Sequence, residues 1–185
     1  MKLVVGLGNP GRRYEGTRHN LGYAVLATLA RRHGIGTPKE KFHGEVLEAD
    51  LGGERALLLS PTTYMNLSGT SVLETRDFFK IPNEDLLVIC DDLNLPPAKI
   101  RIRTGGSDGG QKGLGDIIRR LGTEEFPRLR IGIGAPPPGW SATNYVLARF
   151  NEEEEKAMME AVACAADAAV VWAAEGIQTG MNRYN

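Results

Sequence analysis

Short apolar runs and stretches of helical spacing take turns along this chain, and that alternation limits its fold more than any other feature. Apolar or alternating runs mark strands near 2–7, 43–50, 54–60, 85–90, 99–103 and 128–133. Helical spacing fills 20–33, where Leu21, Ala24, Val25, Thr28 and Leu29 share a face and Asn20 stands ready to cap the N-terminus. Further helices are predicted over 66–80 and 111–121. A longer one opens at Asn151, carries Glu152 to Glu155 at the favourable end of its dipole, and continues to Glu175. Its apolar stripe (Met158, Val162, Ala165, Ala169, Trp172) is a core-packing pattern. Strands interleaved with helices predict an α/β sheet protein. With 185 residues and no repeat or linker, 1–185 reads as one domain.

Composition narrows the function. Cys90 and Cys164 make no disulfide framework, and His19, His33 and His43 lack the spacing of a metal site. The N-terminus carries no signal-like pattern, and no apolar run approaches the roughly 20 residues of a membrane span. The Ala-rich tract is interrupted by Glu160 and Asp167, so a cytosolic protein is expected. A net charge of −1 conceals an asymmetry. Residues 1–41 hold eight Lys or Arg against two Glu, and residues 99–130 hold eight against four acids. Two basic segments on an otherwise acidic chain suggest a face for a polyanion; solvated surface charge is the plainer alternative.

The loop after the first strand, Gly6-Leu7-Gly8-Asn9-Pro10-Gly11, imitates a dinucleotide-binding fingerprint. In that fold a helix starts within the glycines, and an acidic residue follows about 20 positions later. Here Pro10-Gly11 makes a turn, and the later stretch is Thr28-Leu29-Ala30-Arg31-Arg32. The nucleotide reading fails, and the glycines read as hinges that deliver Asn9, His19 and Asn20 to a strand end. His19 is the leading general base, since imidazole can be neutral near pH 7 and still accept a proton. An Arg18-His19-Asn20 capping cluster is its structural alternative. His33 reads as a helix C-terminal residue before Gly34, and His43 as a strand or loop residue.

Asp91 ends an apolar strand, where ligands gather in α/β sheets and where a carboxylate can orient a histidine. Asp92 can do the same, or both can cap the following turn. Cys90 reads as a buried strand residue rather than a nucleophile. Asn66 is either a helix cap or an amide that reads a peptide group. Gly105-Gly106-Ser107-Asp108-Gly109 imitates a nucleophile elbow; the hydrolase order requires a later histidine and none follows His43, which leaves a serine mechanism only the convergent order His19, Asp91, Ser107. The simpler reading is a loop whose N–H groups are free for phosphate or substrate.

Together these blocks resemble the bacterial-type peptidyl-tRNA hydrolases over essentially the whole chain. The matching blocks are Val5 to Gly11, Thr17-Arg18-His19-Asn20, Pro61 to Gly69, Asp91-Asp92-Leu93 with Leu95-Pro96-Pro97, and Arg128 to Gly134. The resemblance implies a monomeric fold with a twisted, mixed, largely parallel sheet flanked by helices, and no cofactor or metal. It implies cleavage of the ester joining a peptide to the 3′ ribose of tRNA, recycling tRNA lost from stalled ribosomes. The partner would be the acceptor stem and CCA end, with no membrane involved.

Under the same resemblance His19 activates water and Asp91 orients it. Asn9, Tyr14, Asn20, Tyr64, Met65 and Asn66 would contact substrate, and Arg103 and Arg130 would face tRNA phosphates. The family usually has His-Asn before the Gly-Leu that opens the third helix; here Gln111-Lys112 precede Gly113-Leu114. Lysine cannot accept a hydrogen bond, so Lys112 is assigned instead to a substrate oxygen or a phosphate. A catalytically silent RNA-binding relative is the rival reading, and retention of Asn9, His19, Asn66 and Asp91 together argues against it.

Overall fold

The computed structural model describes residues 1–185. Strands β1 (Lys2–Gly6), β2 (Gly34–Lys41), β3 (Gly44–Leu51), β4 (Glu54–Pro61), β5 (Leu86–Asp92), β6 (Ile100–Arg103) and β7 (Arg128–Gly132) form one sheet in the order β2-β3-β4-β1-β5-β7-β6. The four central strands, β4, β1, β5 and β7, run parallel, and the flanking strands add antiparallel edges. The helices are α1 (Leu21–His33), α2 (Ser68–Phe79), α3 (Lys112–Leu121), α4 (Ala142–Val146), α5 (Glu152–Glu175) and α6 (Ile177–Tyr184).

Strand residues alternate between two cores because successive side chains point to opposite faces. Leu3 and Val5 of β1 join Leu57, Leu59, Leu86 and Val88 against Val72 of α2 and Leu114 and Ile117 of α3. Val4 joins Leu58, Leu87 and Ile89 against Val25 and Leu29 of α1 and Ala165 and Trp172 of α5. Both faces are covered, which is why β5 is apolar along almost its whole length and buried throughout. Each such large side chain contributes about 1.5–3 kcal/mol when fully buried.

Helix α5 is long and apolar enough, by length and composition, to cross a membrane. Here its apolar stripe is spent on the core, with Met158, Ala165, Ala169 and Trp172 buried and Glu160 and Asp167 exposed. Asn151 and Glu154 close a capping box at its start.

Three elements differ from the sequence expectation. Strand β2 is not among the strands the sequence pattern predicts, and it contains Gly34, Gly36 and Pro38. It is an exposed edge strand with a register irregularity between Ile35 and Lys39, the setting in which proline and lysine are tolerated and discourage further pairing. Helices α4 and α6 were also unexpected, being short and set among Pro136 to Pro138 and Gly176 and Gly180. Finally, Asn20 makes no capping bond to α1; its amide is used elsewhere.

Candidate active site

The carboxyl ends of β1, β4 and β5 meet where the chain leaves the sheet in different directions, the place where α/β sheets form a crevice. A cavity of about 270 Å³ opens there, lined by Asn9, His19, Met65, Asn66, Asp91 and Lys112 among others. Tyr64 also borders it, and α4 contributes Ala142, Thr143 and Val146.

Of the loop glycines, Gly11 takes a positive φ in open space, as a turn requires, while Gly6 and Gly8 serve close approach. A Cβ at Gly22 would collide with the backbone of Leu7 and Ile89, and one at Gly8 with the ring of Tyr23. The N-terminus of α1 can therefore press against the strand ends. Asn20 then fastens the loop: its Oδ1 accepts from the N–H of Asn9 (2.8 Å) and its Nδ2 donates to the carbonyl of Asn9 (3.0 Å). Asn9 in turn accepts from the N–H of Met65 through Oδ1 (2.7 Å). That leaves Asn9 Nδ2 as the amide's free donor on the cavity wall.

His19 sits in a 3-10 turn (Arg18–Asn20) and is buried. Its Nδ1 lies 3.0 and 2.9 Å from the two carboxylate oxygens of buried Asp91. Nδ1–H therefore donates to Asp91, and Nε2 is left as the lone-pair nitrogen. The choice between the two aspartates is settled by contacts. Asp92 accepts from the N–H of Asn94 (2.8 Å) and faces Arg130 at 3.6 Å, so it holds the turn and not the histidine. Gln111, named from sequence only as part of a departure from the family pattern and given no role there, donates from Nε2 to Asp91 Oδ1 at 3.1 Å. No local pattern marks it; only the fold brings α3 beside β5.

Arg18 is not part of a capping cluster. Its guanidinium reaches the carbonyls of Tyr145 and Arg149 (3.3 and 3.2 Å) and Glu154 (3.0 Å), and lies 4.2 Å from the centre of the Tyr145 ring. Tyr145 donates to the carbonyl of Ile133 at 2.6 Å. The turn that carries His19 and the α4 wall of the cavity are thus tied together through Arg18.

The remaining expected residues divide. Tyr14 does not line the cavity but packs edge-on to Tyr64, ring centres 6.4 Å apart, with Tyr64 largely exposed. Asn20 also lies outside the cavity lining. Asn66 is exposed, and Leu67 rather than Asn66 occupies the cap position of α2. Lys112 is an exposed residue of the cavity rim, and Arg103 is exposed on the edge strand β6.

The last two arginines of the basic segment, Arg128 and Arg130, turn onto backbone carbonyls. Arg128 is fully buried, its guanidinium donating to the carbonyls of Gly106 (2.6 Å), Ser107 (3.2 Å), Glu124 (2.7 Å) and Phe126 (3.2 Å). Burial and, secondly, Arg130 lower that guanidinium to about 10. Arg130 donates to the carbonyls of Ser107 and Asp108. The Gly105–Gly109 loop is thus a segment held by arginines at its carbonyls, and Ser107 is not among the cavity residues. Cys90 is fully buried; burial and then the neighbouring Asp91 push its thiol up to about 12, as suits a strand residue and not a nucleophile.

Fold and site together define an α/β enzyme with a carboxylate-oriented histidine in a cleft at the parallel strand ends. The model of the family described as peptidyl-tRNA hydrolase matches residues 3–185. Peptidyl-tRNA hydrolases of Rhodopirellula baltica and Chloroflexus aggregans are 52% and 51% identical to the chain, each covering 100% of it and 97% and 99% of their own length. The crystal structure of peptidyl-tRNA hydrolase from Acinetobacter baumannii superposes with a TM-score of 0.93 at 39% identity, covering 100% of this chain and 94% of that one. The chain belongs to the peptidyl-tRNA hydrolase family.

Proposed function

We propose that this hydrolase splits peptidyl-tRNA by a water molecule activated at His19 Nε2. The observation that carries the reading is the buried His19–Asp91 pair, with Nε2 free in a cavity that Asn9 and Asn66 also line. Nε2 takes a proton from water as the oxygen attacks the ester carbonyl carbon. Asn9 Nδ2 donates to the carbonyl oxygen as charge builds there, and Asp91 stabilises the imidazolium. Collapse breaks the bond to the 3′ ribose oxygen, which takes the proton back from Nε2. The products are the peptide acid and tRNA with a free 3′ hydroxyl. Asn20 acts through Asn9 by holding its backbone. Tyr14 and Tyr64 offer aromatic faces for the CCA end, and Asn66 and the backbone at Met65 meet the peptide.

Selectivity follows from solvation. A site matched to a neutral amide would have to strip water from the charged α-ammonium of an unblocked aminoacyl group. The test is release of the acyl group from N-acetyl-aminoacyl-tRNA and from aminoacyl-tRNA. Rapid release from the first and slow release from the second is expected; RNA binding without release from either rejects the reading in favour of a silent binding protein.

Arg103 and Lys112 supply charge for tRNA phosphates, while Arg130 fixes the loop beside them, and the protein acts as a cytoplasmic monomer on the acceptor end. Lys112→Ala is expected to weaken tRNA binding most at low salt and to reduce the slope of log Kd against log salt by about one. A slope identical to that of the wild type would remove Lys112 from the phosphate contacts.

A further inference from the structure

We infer that Gln111 is a positioning residue that sets the carboxylate geometry and charge His19 meets, acting through Asp91. The inference rests on the reading of His19 as the base. Gln111 is buried at the N-cap of α3, where its Oε1 accepts the N–H of Leu114 at 2.8 Å. That bond fixes which way the amide faces, so Nε2 is committed to the other side. There it donates to Asp91 Oδ1 (3.1 Å) and lies 3.3 Å from Met65 Sδ, a weak acceptor. His19 and Gln111 are the two groups that hydrogen-bond the Asp91 carboxylate.

The surrounding charges are otherwise engaged. Asp92 faces Arg130 and the N–H of Asn94, and Arg18 is occupied by Glu154 and backbone carbonyls. The Cys90 thiol, pushed up by burial, is neutral. Lys112 lines the same cavity from the start of α3. Gln111 is thus a non-titrating donor that holds one carboxylate oxygen and draws off part of its charge. It makes a helix cap and the His–Asp pair share one side chain. A cap alone needs only the oxygen; the nitrogen is what serves Asp91.

Gln111→Glu keeps an oxygen for Leu114 but replaces the donor with like charge. Its kcat/KM profile is expected to move the acid limb to higher pH by about one unit, with up to about tenfold lower kcat at pH 7 and KM unchanged. Gln111→Met removes both bonds at similar volume; its limb is expected to move the same way by less, with a lower Tm. The ring resonances of His19, identified by their loss in His19→Ala, should follow the same displacement in an NMR titration without any turnover. A merely structural cap would move Tm and leave the limb and the resonances where they are in the wild type, which would overturn the inference. Full turnover by His19→Ala would instead overturn the base assignment, and the NMR titration would still decide whether Gln111 acts on His19.

Discussion

His19→Ala is expected to lower kcat for N-acetyl-aminoacyl-tRNA by about 10²- to 10⁴-fold, the usual contribution of a positioned base. Affinity for deacylated tRNA should stay within about twofold, because the side chain removed is buried beside Asp91 and not among the exposed cations. The loop itself should hold. The N–H of Arg18 donates to the carbonyl of Ala148 and that of Asn20 to the carbonyl of Thr17, both at 3.1 Å, and the Asn9–Asn20 bonds are untouched. Single-turnover acyl release and filter binding, run on the same preparation, separate the two effects. A variant within tenfold of the wild-type kcat would show that another group activates the water.

Asp91→Asn should cost nearly as much, by about 10²- to 10⁴-fold in kcat, for a reason that depends on Gln111. The Gln111 amide cannot turn round without abandoning the Leu114 N–H. Its Nε2 therefore demands an oxygen at position 91, and the asparagine answers with Oδ1. The new Nδ2–H then faces His19 Nδ1, which must become the acceptor, and the ring proton moves to Nε2, where the lone pair was needed. The variant is expected to fold, since size and burial are kept, and to bind tRNA normally. Circular dichroism, binding and pH-rate profiles together test this; near-wild-type kcat would mean that the tautomer does not govern the rate.

Much of this was legible in the chain. Continuous apolar strands such as Leu86 to Cys90 and the acidic, Asn-capped start of α5 announce themselves because the signal is local. Placement at a strand's carboxyl end offered Asp91 and Asp92 alike as partners for His19, and the family resemblance chose Asp91. What stayed hidden was long-range. The Asn20 amide had a helix N-terminus at hand, yet the backbone of Asn9, eleven residues earlier in sequence, offered two bonds where a cap offers one. A charge tally could not tell that Arg128 would be enclosed by four carbonyls while Arg103 stayed outside. Gly34 looked like a stop and became the first residue of an edge strand, because α1 passes straight into β2 with Gly34 in extended geometry. Gln111 showed only as part of a departure from the family pattern, since its worth depends on which carboxylate the fold sets beside it.

The placement of Cys90 has a bearing on chemical endurance. It is the residue immediately before Asp91, so any adduct on its sulfur would displace the carboxylate that holds His19. Full burial and a thiol pushed up to about 12 keep the thiolate scarce and out of reach of electrophiles and peroxides. Cys164 on α5 is only partly buried, although burial and then Asp167 raise its thiol too, and it is far in sequence from the residues that line the cleft. Of the two thiols, the less enclosed one thus stands apart from the residues that line the cleft.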